Sequence, residues 1–204
     1  HSLYEGSPEI RNCTFVANDA AQGGAIASRG NAYSLVSHSI LWRNTADQGW
    51  AVYLARYSQG SIKGGTITVE YCDIEGGRDA AYAELDCTLI WSDGNIYSDP
   101  LFTGPAYDDY RLSPDSPCID AGDPNYTPSA ETTDLDNHTR KFGTAVDLGA
   151  YEFHGLGPVY RFWSPTLGTY FYTLLGVERD YVINMYPYDW TYQDITYYGY
   201  YEPI

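Results

Sequence analysis

Apolar and polar residues alternate in short runs through the first part of the chain, and Asn or Gly ends each run. Two stretches are copies: residues 10–18, IRNCTFVAN, superimpose on residues 36–44, VSHSILWRN, at a shift of 26. The same shift carries Gly23-Gly24-Ala25-Ile26-Ala27 onto Gly49-Trp50-Ala51-Val52-Tyr53. A third copy, VEYCDIEGG at 69–77, follows 33 residues after the second, and its seven extra residues fall in the Gly/Ser-rich stretch Ser58–Thr66, which predicts a lateral loop. No 3.6-residue period runs through this region, so it predicts strands rather than helices.

Short strands at a fixed period in the twenties predict an all-β solenoid of about three rungs, each stacked ~4.8 Å above the last. Inward positions fall to Cys13, Ser39 and Cys72 and to Phe15, Leu41 and Ile74. Asn18 and Asn44 stack at a turn, where Asn tolerates left-handed backbone and can ladder its amides. His38 takes the repeat position of Asn12, which points to a structural role. Cys13 and Cys72 lie two rungs apart, roughly 9–10 Å, too far for a disulfide.

These residues resemble a known family. IRNCTFVANDAAQGGAIAS and SHSILWRNTADQGWAVYL are similar to successive coils of bacterial right-handed parallel β-helix repeat surface proteins. VEYCDIEGG followed by GNIYSDPLF, DYRLSPDSPCIDAGDP and VDLGAYEF resembles their closing segment, so the resemblance spans roughly residues 8–153. It implies a short right-handed parallel β-helix in an extracellular or cell-surface protein; a fold of this kind does not fix an activity.

The sequence divides into coils at 1–94, a loop-rich closing cap at 95–154 and a C-terminal module at 155–204. The cap is expected to cover the last rung, whose backbone groups would otherwise be unpaired. Its expected anchors are Tyr110, Leu112, Ile119, Leu148, Tyr151 and Phe153. Asp120, Asp123, Asp134, Asp136 and Asp147 lie in its loops and offer the hard oxygens that Ca²⁺ takes, although EF-hand spacing is absent. The alternative is that these carboxylates cap turns.

Composition changes after Gly155-Leu156-Gly157-Pro158: eleven of the 22 tyrosines lie between Tyr160 and Tyr201. VYRFWSPTLGTYFYT predicts two strands around a Pro-Thr-Leu-Gly turn. GVERDYVINMY predicts a short helix with Val177, Tyr181, Val182 and Met185 on one face, and WTYQDITYYGYY predicts returning strands. This unit resembles one repeat of a Tyr-rich bacterial domain usually present in three tandem copies, keeping VYRF-x-x-P-x-x-G-x-x-FYT, ERDYV and WTY but showing Tyr170 where His is common. A lone copy buries little apolar area and must dock, pair or be a truncated end. Tyr160, Trp163, Tyr170, Tyr172, Trp190 and Tyr192 are candidates for glycan stacking or assembly, or for the module's own core.

Twenty-seven acidic against 11 basic side chains, a net charge of −16, disfavour nucleic acid and anionic membrane surfaces as partners. Four cysteines show neither C-x-x-C nor finger spacing, and up to two disulfides are open in an exported protein. Asp108 and Asp109 are adjacent and point oppositely on extended chain, so they make no shared acid pair. The histidines are scattered, and no catalytic residue is assigned. Sequons stand at Asn12, Asn125 and Asn137; Asn12 falls in a repeat strand, which leaves Asn125 and Asn137 for glycosylation. The chain opens at His1 in mid-pattern, which reads as a processed product or a fragment with an open sheet edge. The expectation is a non-catalytic extracellular structural subunit, of fibre or surface-layer type, that assembles end to end with copies of itself through the open solenoid end and the Tyr-rich tail. The alternative is a glycan-binding adhesion module, and a polysaccharide lyase or hydrolase ranks third.

Overall fold

A computed structural model describes residues 2–3, 6–56, 64–173 and 176–200. Strands make up 40% of the chain against 8% helical, so it is a β protein with one α-helix. It splits into two compact units that interleave in sequence: residues 1–100 with 117–152, and residues 101–116 with 153–204. The boundaries read from the sequence, at 94 and 154, do not anticipate this exchange.

In the first unit, strands β1 (Ser2–Leu3), β2 (Glu9–Arg11), β3 (Thr14–Val16) and β4 (Asp19–Gln22) form one layer. Strands β5 (Ile26–Arg29), β6 (Tyr33–Ser37), β7 (Ile40–Trp42) and β8 (Thr45–Gln48) form the next. A third follows in β9 (Val52–Ala55), β10 (Thr66–Glu70) and β11 (Asp73–Ile74), and then come β12 (Ala81–Ala83) and β13 (Thr88–Trp91). Successive layers pair in parallel ladders, ordered β1-β5-β9-β12, β2-β6-β10-β13, β3-β7-β11 and β4-β8. The registers are those of the repeat: Ile10 opposite Val36 opposite Val69, and Phe15 opposite Leu41 opposite Ile74. Leu41, Cys72, Ile74 and Ser39 are fully buried as expected, and Phe15 packs half-buried against them. No disulfide joins the four cysteines. The expected loop insertion falls between β9 and β10, with residues 57–63 outside the described residues.

The corners repeat too. Asn12, His38 and Tyr71 adopt φ of +51°, +51° and +46°, and Ala17 and Arg43 adopt +55° and +53°. Left-handed backbone at a residue with a Cβ costs on the order of 1–2 kcal/mol, so something must hold it. The ladder does, because Asn12 N–H donates to Ser37 O and Ala17 N–H to Trp42 O without a break in pairing. The sequence reading put the left-handed turn on Asn18 and Asn44; it falls one residue earlier. The Asn residues instead supply the amide ladder that was expected, Asn18 Nδ2 donating to Asn44 Oδ1 at 2.9 Å and Asn44 Nδ2 to Phe15 O. Asn12 sits at a corner rather than within a strand.

A fourth layer exists that the repeat did not reveal. β13 pairs with β10, Ile96 bridges Asp73, and Asn95 Oδ1 accepts the Cys72 N–H. The offset from β10 to β13 is shorter than 26 residues, so alignment at a fixed shift misses it.

Residues 117–152 tie to successive layers along the flank of the stack. Cys118 Sγ donates to Asp73 Oδ2, Gly149 N–H to His38 O, and Ala150 N–H to Thr14 Oγ1, one tie to each of three layers. Added at Gly149 (φ +95°), a Cβ would lie 2.8 Å from both Ile40 and Thr14, so only glycine permits this approach. Leu148 is buried as an anchor, joined by Cys118, Ala145 and Val146, while Ile119 and Tyr151 are half-buried. Tyr110, Leu112 and Phe153 belong to the second unit.

The second unit holds the hairpin β14 (Phe102–Gly104) and β15 (Asp109–Leu112) and an antiparallel sheet ordered β17 (Thr169–Thr173), β16 (Leu156–Ser164), β18 (Thr191–Tyr200). The predicted turn closes β16 onto β17, with Gly168 at φ +63° donating to Ser164 O. Helix α1 (Gly176–Met185) is where the sequence placed it. Its inner face is only partly the expected one: Val182 is buried and Arg179 joins it, but Tyr181 and Met185 are exposed, and the Val177 side chain lies outside the described residues. The core is Tyr160, Phe162 and Val182, with Phe171, Ile183, Trp190, Tyr192 and Ile195 packed around it.

Candidate functional site

The acidic loops of 117–152 fold around an arginine that the sequence reading did not single out. Arg140 is 1% exposed, its Nε 3.2 Å from Glu152 Oε1, and its Nη2 donates to the carbonyls of Asp147 and Gly149. Each nearby carboxylate accepts backbone N–H groups: Asp147 Oδ1 from Asp120, Asp120 Oδ1 from Ala145, Glu152 Oε1 from Asp147, and Asp134 from Asp136, His138 and Glu152. Asp123 caps Asn125 in the same manner, and Asp136 is half-buried beside Asp134. Among the described residues, no three of the five candidate Ca²⁺ carboxylates bring oxygens within 4.8 Å of one another. Through these bonds Asp120, Asp123, Asp134 and Asp147 fix loop backbone, as the turn-capping alternative describes.

Three buried groups depart from their ordinary protonation. Burial drives the Glu152 carboxyl up to about 8, with the Asp147 and Asp134 charges adding to the effect and Arg140 opposing it. Burial also raises Asp73 to about 7, reinforced by Asp99 and Glu75 and opposed by the hydrogen bonds from Cys118 and Ser98 N–H. His38, stacked between Tyr71 and Tyr126, is lowered to about 4 by burial and by Arg11 and Arg140, against the pull of Asp123. Its Nε2 accepts the Asp123 N–H, a bond only the neutral ring can make.

These shifts carry opposite signs. The two raised carboxyls stabilise the fold fully below their unfolded values, near 4, and that stabilisation is lost as pH rises through about 7 and about 8. Neutral His38 contributes above its unfolded value near 6.5, and its contribution is lost as pH falls towards about 4. Two protons outweigh one between pH 8 and 6, so stability at pH 6 should exceed that at pH 8 by about 2 kcal/mol. Urea titrations at the two pH values measure it; equal midpoints would remove the raised carboxyls from the account.

The six candidate aromatics divide by strand face. Tyr160 is buried, and Trp190 and Tyr192 are half-buried against the core, so these three are structural. Trp163, Tyr170 and Tyr172 sit on the other face, with Trp163 and Tyr170 ring centroids 4.8 Å apart, Tyr172 a further 6.2 Å along, and Arg161 over Tyr170. Tyr170 and Tyr172 are both nearly half exposed. Arg179 is sandwiched between the rings of Tyr107 and Tyr160, 4.5 Å from each, and Tyr160 OH donates to Asp109 Oδ2. Asp109 is buried beside Arg111 while Asp108 is exposed, so the adjacent carboxylates do point apart.

Asn125 and Asn137 are exposed, Asn137 at φ +65°, and Asn12 is half-buried. No helix among the described residues is long and apolar enough to cross a membrane. A sequence-family model for a domain of unknown function, DUF5648, matches residues 120–203, which takes in the Arg140 loops of the first unit and most of the second. No curated protein and no solved structure matches the chain.

Proposed function

We propose that the layered repeats wind as a short right-handed parallel β-helix in an extracellular, non-catalytic structural protein, and that its stacked edge recruits further copies of the same chain. The observation that carries this reading is the edge itself. β12 and β13 are the last strands of their ladders, with no strand on their outer sides among the described residues. Unpaired strand edges invite pairing with another chain unless charge, proline or a cover blunts them. Residues 117–152, which could have served as that cover, lie along the flank. Ile90 on β13, Tyr82 on β12 and Leu85 between them are 44%, 42% and 77% exposed, and β13 carries no charge.

The test is sedimentation velocity over a concentration series, with electron microscopy of the same samples. Concentration-dependent oligomers or filaments are expected, and Ile90→Lys should raise the concentration needed at least tenfold, about 1.4 kcal/mol per contact. A monomer at every concentration and salt level would count against the proposal. The aromatic row of Trp163, Tyr170 and Tyr172 favours a second reading, a glycan-stacking face on the second unit.

A further inference from the structure

The chain leaving β11 turns through Gly76 (φ +78°) and Gly77 (φ +59°) into a single helical turn carrying Arg78 and Asp79. A cavity of about 250 Å³ opens there, bounded by this turn and by Trp91, Asn95 and Tyr97. The glycines shape it. A Cβ at Gly76 would meet the Trp50 indole at 3.1 Å, and one at Gly77 would meet the Tyr97 ring at 3.6 Å, so aromatic rings lie directly on bare backbone. Asn95 is a fixed wall, its amide committed to Cys72 N–H, Val69 O and Ser92 O. Trp91 ends β13 half-buried, whereas the Tyr97 ring is 75% exposed.

Arg78 and Asp79 are exposed at the rim, and among the described residues neither side chain has a hydrogen bond or ion pair. A guanidinium only donates and a carboxylate only accepts, whereas a sugar hydroxyl does both. Both residues line the cavity, so it offers a hydroxyl-bearing ligand a donor and an acceptor, and a tyrosine or tryptophan ring matches the apolar C–H face of a sugar ring. The volume is below the roughly 300–1,000 Å³ of enclosed small-molecule pockets, so one sugar residue fits with the rest of its chain outside. A net charge of −16 disfavours anionic glycans. We propose that this cavity is a subsite for one residue of a neutral glycan, its ring on Tyr97 and Trp91 and its hydroxyls on Arg78 and Asp79.

The full chain is titrated with cellohexaose, laminarihexaose, mannohexaose, xylohexaose and chitohexaose, and with polygalacturonate as the anionic comparison. Calorimetry and tryptophan fluorescence follow binding. At least one neutral probe should bind, and Tyr97→Ala and Arg78→Ala should each weaken it about tenfold, about 1.4 kcal/mol. Both side chains are exposed, so the variants keep the fold, which circular dichroism verifies. Binding that survives both cavity variants and is lost in Trp163→Ala would place the glycan on the second unit and overturn the proposal. Absence of binding to every probe, or preference for polygalacturonate, would overturn it equally. These outcomes are independent of whether the chain self-assembles.

Discussion

Measured above pH 8, where the Glu152 carboxyl is ionised, replacing Arg140 by methionine is expected to destabilise the first unit by about 3–5 kcal/mol, the usual cost of removing one partner from a buried ion pair. The size follows from what is left behind. Glu152 would lose its one opposing charge while Asp147 and Asp134 remain beside it, and the carbonyls of Asp147 and Gly149 would lose their donor. Losing the Gly149 tie would in turn loosen the segment that holds His38 and Thr14. The double variant Arg140→Met with Glu152→Met should recover about 1–3 kcal/mol of the loss, because removing both charges leaves no buried orphan. Urea unfolding read by near-ultraviolet circular dichroism would show it; a single variant within about 0.5 kcal/mol of the parent would refute the buried-pair account.

Exchanging Arg179 for lysine should destabilise the second unit by about 2–4 kcal/mol, although the charge is kept. A desolvated cation–π contact is worth about 2 kcal/mol, and Arg179 makes two, each depending on a flat guanidinium lying over a ring. Gly104→Ala should reproduce the defect from the opposite side, since its Cβ would stand within van der Waals contact of Arg179 Nη1 and force the guanidinium out. Limited proteolysis of the full chain gives the readout: faster cleavage within 153–200 in both variants, with the first unit's fragments unchanged. Resistance equal to the parent's would mean that the rings hold the unit without the flat guanidinium.

What the sequence made legible was whatever alternation and identical side chains encode. Phe15, Leu41 and Ile74 face inward because a period of two fixes the face, and Asn18 and Asn44 ladder because identical amides stack. The fourth layer escaped because its offset differs. The left-handed corners were assigned to Asn by intrinsic preference, yet the ladder sets the corner one residue earlier, on Ala17 and Arg43. Membership of 101–116 in the second unit rests on Gly104, Tyr107 and Asp109 meeting residues some fifty or more positions away, which no local pattern records. The loop carboxylates were visible as a group, but their partner was not, because charged residues read as surface. One signal was present: Glu152 stands between Tyr151 and Phe153 in an otherwise apolar run, where a carboxylate requires a buried cation.

The flank segment separates the ties of the first unit by how far the chain must return to make them. Layer-to-layer hydrogen bonds close over 26 residues, whereas Asp123 reaches His38 across 85 and Ala150 reaches Thr14 across 136. Closing the longer loops costs more entropy and is compensated only once the layers stand ready to receive the strap. The order of assembly is therefore written into the connectivity. Layers can zip one upon another as the chain emerges from the ribosome, with His38 and Asp73 still open to water. Their burial, and the proton affinities that come with it, wait for residues 117–152.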